Sequence, residues 1–179
     1  MTPTVLSVVQ QVAAAQTFQF SGRWRDSPLK WLADIRAPSP RGAAGAEVVL
    51  GLLNQHGFSG VKGRFQNTLL VNDLIIRTKT SILWEEEDQF TFQQIRANQP
   101  YDVLAMLGVT PANLFLWFCL RDDALQRSKP QHGEESRWIA FPQGEAPSWL
   151  LGGEIHEAIA DFTLISACIQ AVWALGGSA

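Results

Sequence analysis

Between residues 101 and 120 the chain carries almost no charge. YDVLAMLGV (101–109) and NLFLWFCL (113–120) are separated only by Thr110, Pro111 and Ala112, and Asp102 is the one formally charged side chain. A strand with one wet face alternates apolar and polar residues, whereas a strand that is apolar nearly throughout has both faces covered. The first of these runs therefore reads as an interior strand and the second as another buried strand, with Thr110-Pro111 breaking the chain between them.

Spacing places further elements around this pair. Residues 4–16 have helical spacing, and Ser27-Pro28 sets a cap residue before proline at a first helical position, so 28–35 reads as a second helix. APSPRG (37–42) reads as a breaker. AAGAEVVLGLLNQHG (43–57) is the clearest helix: Val48, Leu52 and Leu53 share a face, and Gly57 can close it. FSGVKGRF, NTLLV and LIIRTKTS then read as strands, with a tight turn at Asn72-Asp73. Residues 84–88 read as a loop, FTFQQI (90–95) as an alternating strand and 122–128 as a short helical turn. Residues 129–136 read as a polar loop, RWIAFP (137–142) as an edge strand, 147–151 as a turn of helix and 153–175 as a helix. The sum is a central mixed β-sheet flanked by helices, α/β or α+β.

A chain of 179 residues, 46% hydrophobic and 17% charged, suits one domain with a sizeable core and excludes a disordered chain. We divide it into N-terminal helices (1–42), a core (43–160) and a C-terminal helix (161–179). Cys119 and Cys168 lie in apolar runs without metal-ligand spacing and read as two buried free thiols, from which a reducing, cytoplasmic compartment is expected. TVLSVVQQVAAAQ lacks the preceding basic residues of a signal peptide. The uncharged C-terminal run FTLISACIQAVWALGG is shorter than the roughly 20 residues a bilayer needs, so a buried helix rather than a membrane span is expected.

Charge is uneven. Residues 1–82 hold nine Lys and Arg against four acids, and the remainder holds five against thirteen, for a net charge of −3. The basic half permits an anionic partner without demanding one.

Metal-dependent phosphodiester cleavage needs carboxylates on adjacent strands to hold Mg²⁺, with a lysine nearby to steady the attacking water or the developing charge. A hairpin whose second strand carries a carboxylate two residues before a lysine puts both on one face. Residues 42–160 resemble bacterial members of the PD-(D/E)xK restriction-endonuclease-like superfamily. The segments that carry the resemblance are GAAGAEVV, GRF, NTLLVND, IIRTKTSILW, FTFQQIR and YDVLAMLGV, followed by RWIAFP, PSWLLGG and GEIHEAI. The resemblance implies a restriction-endonuclease-like fold, DNA as partner and Mg²⁺ as cofactor if the protein is active. It sets Glu47 on the helix glutamate and Lys79 on the motif lysine. The motif glutamate falls on Arg77 and the first-strand aspartate on Thr68, so both carboxylates are replaced. A guanidinium cannot ligate a cation and repels Mg²⁺.

Three readings follow. In the first, the metal site is degenerate and the fold, belonging to a restriction or other defence-type system, binds DNA or pairs with an active subunit. Arg64, Arg77, Lys79 and Gln94 would then face DNA, and the apolar C-terminal helix (Ile165, Ile169, Val172, Trp173) would be core or an interface to a like or unlike subunit. In the second, the carboxylates have moved, and an active endodeoxyribonuclease uses Glu47, Asp73 and Lys79, with Glu47 and Asp73 on the metal, or draws on Glu85, Glu86 and Glu87. In the third, the chain is an interaction protein without nucleic acid. Glu47 also reads as a solvated helix residue, Lys79 as an exposed strand lysine, and Trp84 as an interface or base-stacking residue.

Overall fold

The structure, a computed structural model, describes residues 3–13, 24–83, 88–131 and 135–176. Its largest feature is a six-stranded sheet built on the two apolar runs. These are β5 (Val103–Val109) and β6 (Leu114–Leu120), paired antiparallel across the turn at Thr110 to Asn113. β5 is buried at every position, as the continuous apolar run requires.

The remaining strands of this sheet are β1 (Gly60–Lys62), β2 (Thr68–Val71), β3 (Leu74–Ile82) and β9 (Leu151–Glu154), in the order β1-β2-β3-β5-β6-β9. Asn72 and Asp73 both take positive φ (48° and 69°), the geometry of a two-residue hairpin turn, and they join β2 to β3 as the sequence predicts. β3 runs parallel to β5 and the other pairs are antiparallel, so the central mixed sheet of an α+β protein is the observed class.

Alternation along the strands divides the core in two. Ile76, Val103, Ala105, Leu107, Leu116 and Phe118 point to one face. There they meet α1 (Pro3–Ala13), α2 (Lys30–Asp34), α3 (Pro38–Gln55) and α5 (Ile155–Gly176). Leu104, Met106, Trp117 and Cys119 point to the other face. They are covered by α4 (Arg121–Arg127) and by a second sheet of β4 (Gln89–Arg96), β8 (Ser136–Pro142) and the short β7 (Lys129–Pro130). Phe90, Phe92, Trp117 and Phe141 make an aromatic cluster between the two sheets, with ring centroids 5.0 Å apart for Trp117 and Phe141.

Several expectations need correction. The stretch 37–42 does not break the chain, because α3 begins at Pro38 and the prolines lie in a first turn whose N–H groups lack helical partners anyway. RWIAFP is not an edge strand: β8 lies between β4 and β7. β9 was unforeseen, since its glycines carry no strand signal. Cys119 is buried but Cys168 is exposed on α5; both are free.

α3 approaches the sheet closely at Gly45, where an added Cβ would collide with Thr80. Only glycine lets helix and strand meet at that depth. By length and composition α5, at 22 residues, is the one described helix that passes for a membrane span, and only 22% of its apolar window is buried, so the buried helix expected from the sequence is not observed: Phe162 and Ile165 pack on the sheet while most of the helix surface is open. Its outer side exposes Leu164, Val172 and Leu175 and borders an apolar groove of about 440 Å³ that reaches Leu120 and Trp149.

Candidate functional site

Thr78 and Thr80 of β3 face α3, so Arg77 and Lys79, which alternate with them, face the second sheet. Arg77 and Lys79 stand in register with Leu104 and Met106 of β5, whose side chains lie on that same side. Thr68 pairs with Arg77 across the hairpin. The sequence-based placement of Thr68, Arg77 and Lys79 on one face therefore agrees with the geometry.

Around this face the described residues supply cations and no carboxylate partner. Arg77 donates through Nη1 to the Gln66 carbonyl (2.5 Å), and Lys79 donates through Nζ to the Gln94 carbonyl (2.5 Å). Gln94 owes its carbonyl direction to a β-bulge. The register of β4 on β8 shifts between Phe92 and Ile95, and Gln94 takes φ 55°, a conformation costly for a non-glycine residue. Its N–H donates to Gln131 Oε1 at 3.0 Å, which helps hold the bulge.

Arg96, two residues further on, is an electrostatic neighbour of both Arg77 and Lys79. Arg64 sits in the exposed loop before β2, with its guanidinium 5.9 Å from the centroid of the Phe65 ring, and Gln66 of the same loop meets Arg77. None of the ion pairs among the described residues includes Arg77, Lys79 or Arg96.

The electrostatics follow. Lys79 is pushed down to about 7, chiefly by burial and then by the Arg77 and Arg96 charges. Arg77 is lowered from its ordinary value by burial and then by Arg96. Between about pH 7 and pH 8.5 an unfolded Lys79 holds its proton while the folded one releases it, so the unfolded state binds more protons and stability rises with pH. Above that window Cys119 acts the other way: burial pushes its thiol up to about 12, so only the unfolded thiol ionises there. Thermal melts should show a midpoint that climbs through the window in the wild type and is flat in Lys79→Met. Equal slopes in the two proteins would remove Lys79 as the cause.

The carboxylates named from sequence do not join Lys79. Glu47 rides on α3, which packs on the opposite face of the sheet, and its Oε1 accepts from Lys62 Nζ at 2.6 Å. Asp73 lies in the turn, six residues before Lys79, roughly 20 Å away at the rise of an extended strand. Trp84 and Glu85, Glu86 and Glu87 lie outside the described residues. Among the described residues no three His, Cys, Asp or Glu group to hold a metal. Mg²⁺ therefore does not fit the residues here: a threonine, a guanidinium and an amine offer no anionic donor set.

Sequence reasoning missed Arg96 and Tyr101. Arg96 closes FTFQQIR and Tyr101 opens YDVLAMLGV, two segments that carry the resemblance, but nothing local to either says that it neighbours Arg77. Tyr101 is 4% exposed, and its hydroxyl, like Nε of Arg77, has no hydrogen-bond partner.

No protein-family model matches this sequence. No curated protein matches it significantly either. Among solved structures, it is similar to a bacterial homing endonuclease with a TM-score of 0.42 and 13% identity, over 72% of this chain and 89% of that one. A likeness at that level carries no argument about what this chain does.

Proposed function

We propose that this chain binds DNA through the face of Arg64, Arg77, Lys79, Gln94 and Arg96, and that this face is not a metal-dependent cleavage centre. One observation carries the reading: Arg77 and Lys79 share a partly buried sheet face, the exposed Arg96 of β4 is an electrostatic neighbour of both, and none of the three enters an ion pair among the described residues. Such a cluster is electrostatically unfavourable alone and becomes favourable against phosphate. The resemblance to restriction-endonuclease-like proteins supplies the setting, a nuclease-fold component of a restriction or defence-type system in a reducing, cytoplasmic compartment. The exposed apolar side of α5 favours a second element of the reading, a partner subunit seated there.

The test is a gel-shift and nicking assay on the same samples, with plasmid and short duplex in Mg²⁺, Mn²⁺ or EDTA. Binding should persist in EDTA, weaken steeply with salt, and yield no metal-dependent nicks. For about three phosphate contacts the slope of log affinity on log salt should be roughly −3. Nicking in Mg²⁺ that is lost in Lys79→Ala would overturn the non-catalytic reading. A flat salt response would overturn the phosphate contacts.

A further inference from the structure

From Phe162 to its end at Gly176, α5 carries no charged residue. Phe162 and Ile165 pack on the sheet, and Gln170 donates through Nε2 to the Asn72 carbonyl at the β2–β3 turn (3.2 Å), so the helix is anchored at both places. On the side turned away from these contacts, Leu164, Cys168, Ala171 and Leu175 follow at spacings of four, three and four residues, which sets them in one stripe. All four are exposed, Leu164 at 65% and Leu175 at 81%. Beside the stripe runs the apolar groove, whose far wall is Leu120, Trp149 and Leu151. Asp123 is the one charged residue among the described residues that line it, and Arg127 pairs with it at 3.4 Å. A stripe and groove of this kind are unfavourable in contact with water.

Chemistry narrows the occupant. A helix that lies on a lipid surface carries Lys and Arg on its polar side, and α5 has neither; its charged residues are Glu157 and Asp161. A charged partner finds no counter-charge on the stripe. The stripe does match itself. Leu164 and Leu175 stand at its ends and Cys168 and Ala171 in its middle, so turning it end for end leaves the pattern of large, small, small, large unchanged. A two-fold contact sets that condition on a surface, because residue i meets j and j meets i. Charge fixes the direction. Parallel copies would set Glu157 against Glu157 and Asp161 against Asp161, whereas antiparallel copies leave these acids at or beyond the uncharged end of the other helix.

We propose that α5 pairs antiparallel with α5 of a second copy of this chain, each Leu164 against the other's Leu175 and each Cys168 against the other's Ala171. This pairing rests on the partner-subunit element of the reading above and names the partner. The small residues at the centre let the two helix axes approach to about 8 Å. Leu120 (43% exposed) and Leu151 (41%) on the groove wall widen the contact toward the roughly 800 Å² per partner of a stable interface. In this register the two Cys168 Cα atoms stand roughly 5–6 Å apart, a distance that a disulfide spans.

The experiment is sedimentation equilibrium of the full chain over a concentration series, with diamide oxidation of the same samples. The wild type should form a dimer that persists at micromolar concentration. Leu164→Glu should raise its dissociation constant on the order of a hundredfold and leave the circular dichroism spectrum unchanged, since the side chain is exposed. Diamide should join two wild-type chains through Cys168, and Cys168→Ser, which leaves only the buried Cys119, should abolish the product. Asp161→Cys in the Cys168→Ser background should give no product, because the antiparallel register sets the two sites roughly 25 Å apart. A crosslink there instead overturns the antiparallel pairing. A wild type that is monomeric throughout overturns the second copy, and cosedimentation of that monomer with neutral phospholipid vesicles assigns the face to a membrane. An apolar dye, anilinonaphthalene sulfonate, separates the remaining cases. Dye bound by a monomeric wild type and not by Leu164→Glu overturns the second copy and leaves the face to an unlike subunit; equal dye binding removes the partner-subunit reading as well. None of these substitutions lies on the basic face, so a gel shift with DNA reads that face independently.

Discussion

Replacing Gly152 by valine is expected to destabilise the fold by roughly 3–5 kcal/mol, which in a protein of ordinary stability is a large share of the whole. Two effects combine. Gly152 has φ +107°, a conformation that L side chains rarely adopt. A Cβ there would also strike the backbone oxygen of Leu116 and lie 3.0 Å from the Cβ of Ala158. The obstacle is main chain of the central strand β6 on one side and α5 on the other, so no rotamer change relieves it. β9 pairs with β6 through this residue, Gly152 opposite Trp117. The expected result is a fall in denaturant midpoint, with β9 and the first turns of α5 losing hydrogen-exchange protection first. Val172→Ala, at a position 66% exposed, should stay within about 0.5 kcal/mol and serves as the control. A Gly152→Val protein as stable as the wild type would mean that β9 does not dock as described.

Gly152 also shows where sequence and fold part company. Interior strands were legible because a residue covered on both faces must be apolar, and 101–109 and 113–120 obey that rule with no dependence on distant partners. The hairpin at Asn72-Asp73 was legible because its turn chemistry is local. β9 was not, because a glycine pair that pairs with β6 is selected by close approach rather than by propensity. The split into two sheets was hidden for a similar reason. β4 alternates as a strand of either sheet would, and only the bulge between Phe92 and Ile95 records how it pairs with β8.

The candidate site divides in the same way. Arg77, Lys79 and Thr68 share a face because alternation and hairpin register are local rules. Which side of the sheet that face covers is set by where α3 packs, and the contact of Gly45 with Thr80 settles it against Glu47. Asp73 was named for its charge, but a turn residue cannot reach a lysine six positions along a rigid strand. Arg96 and Tyr101 come to the face through chain crossing from one sheet to the other, which no window of sequence displays.

Arg77→Glu should move stability and DNA binding in opposite directions. At present Lys79 has the guanidinium charges of Arg77 and Arg96 as electrostatic neighbours, and their repulsion adds to its burial in disfavouring the ammonium. A carboxylate at position 77 replaces one repulsion by an attraction and gives Arg96 an opposite charge as well. Lys79 should then titrate well above 7, each unit of that rise corresponding to about 1.4 kcal/mol. The rise of stability between about pH 7 and pH 8.5 should flatten in the variant. Affinity for DNA at low salt should fall on the order of a hundredfold, since one phosphate contact is lost and a like charge is set against the backbone. A variant that merely misfolds would lose both properties, whereas gain of one with loss of the other ties the missing carboxylate to the choice of ligand. Adding Thr68→Asp carries the argument one step further. The two positions are directly paired, so their Cβ atoms stand about 5 Å apart and two carboxylates would share one divalent ion. Mn²⁺ should then raise the melting temperature of the double variant and leave the wild type unmoved; equal shifts in both would show that the basic face is not what excludes the metal.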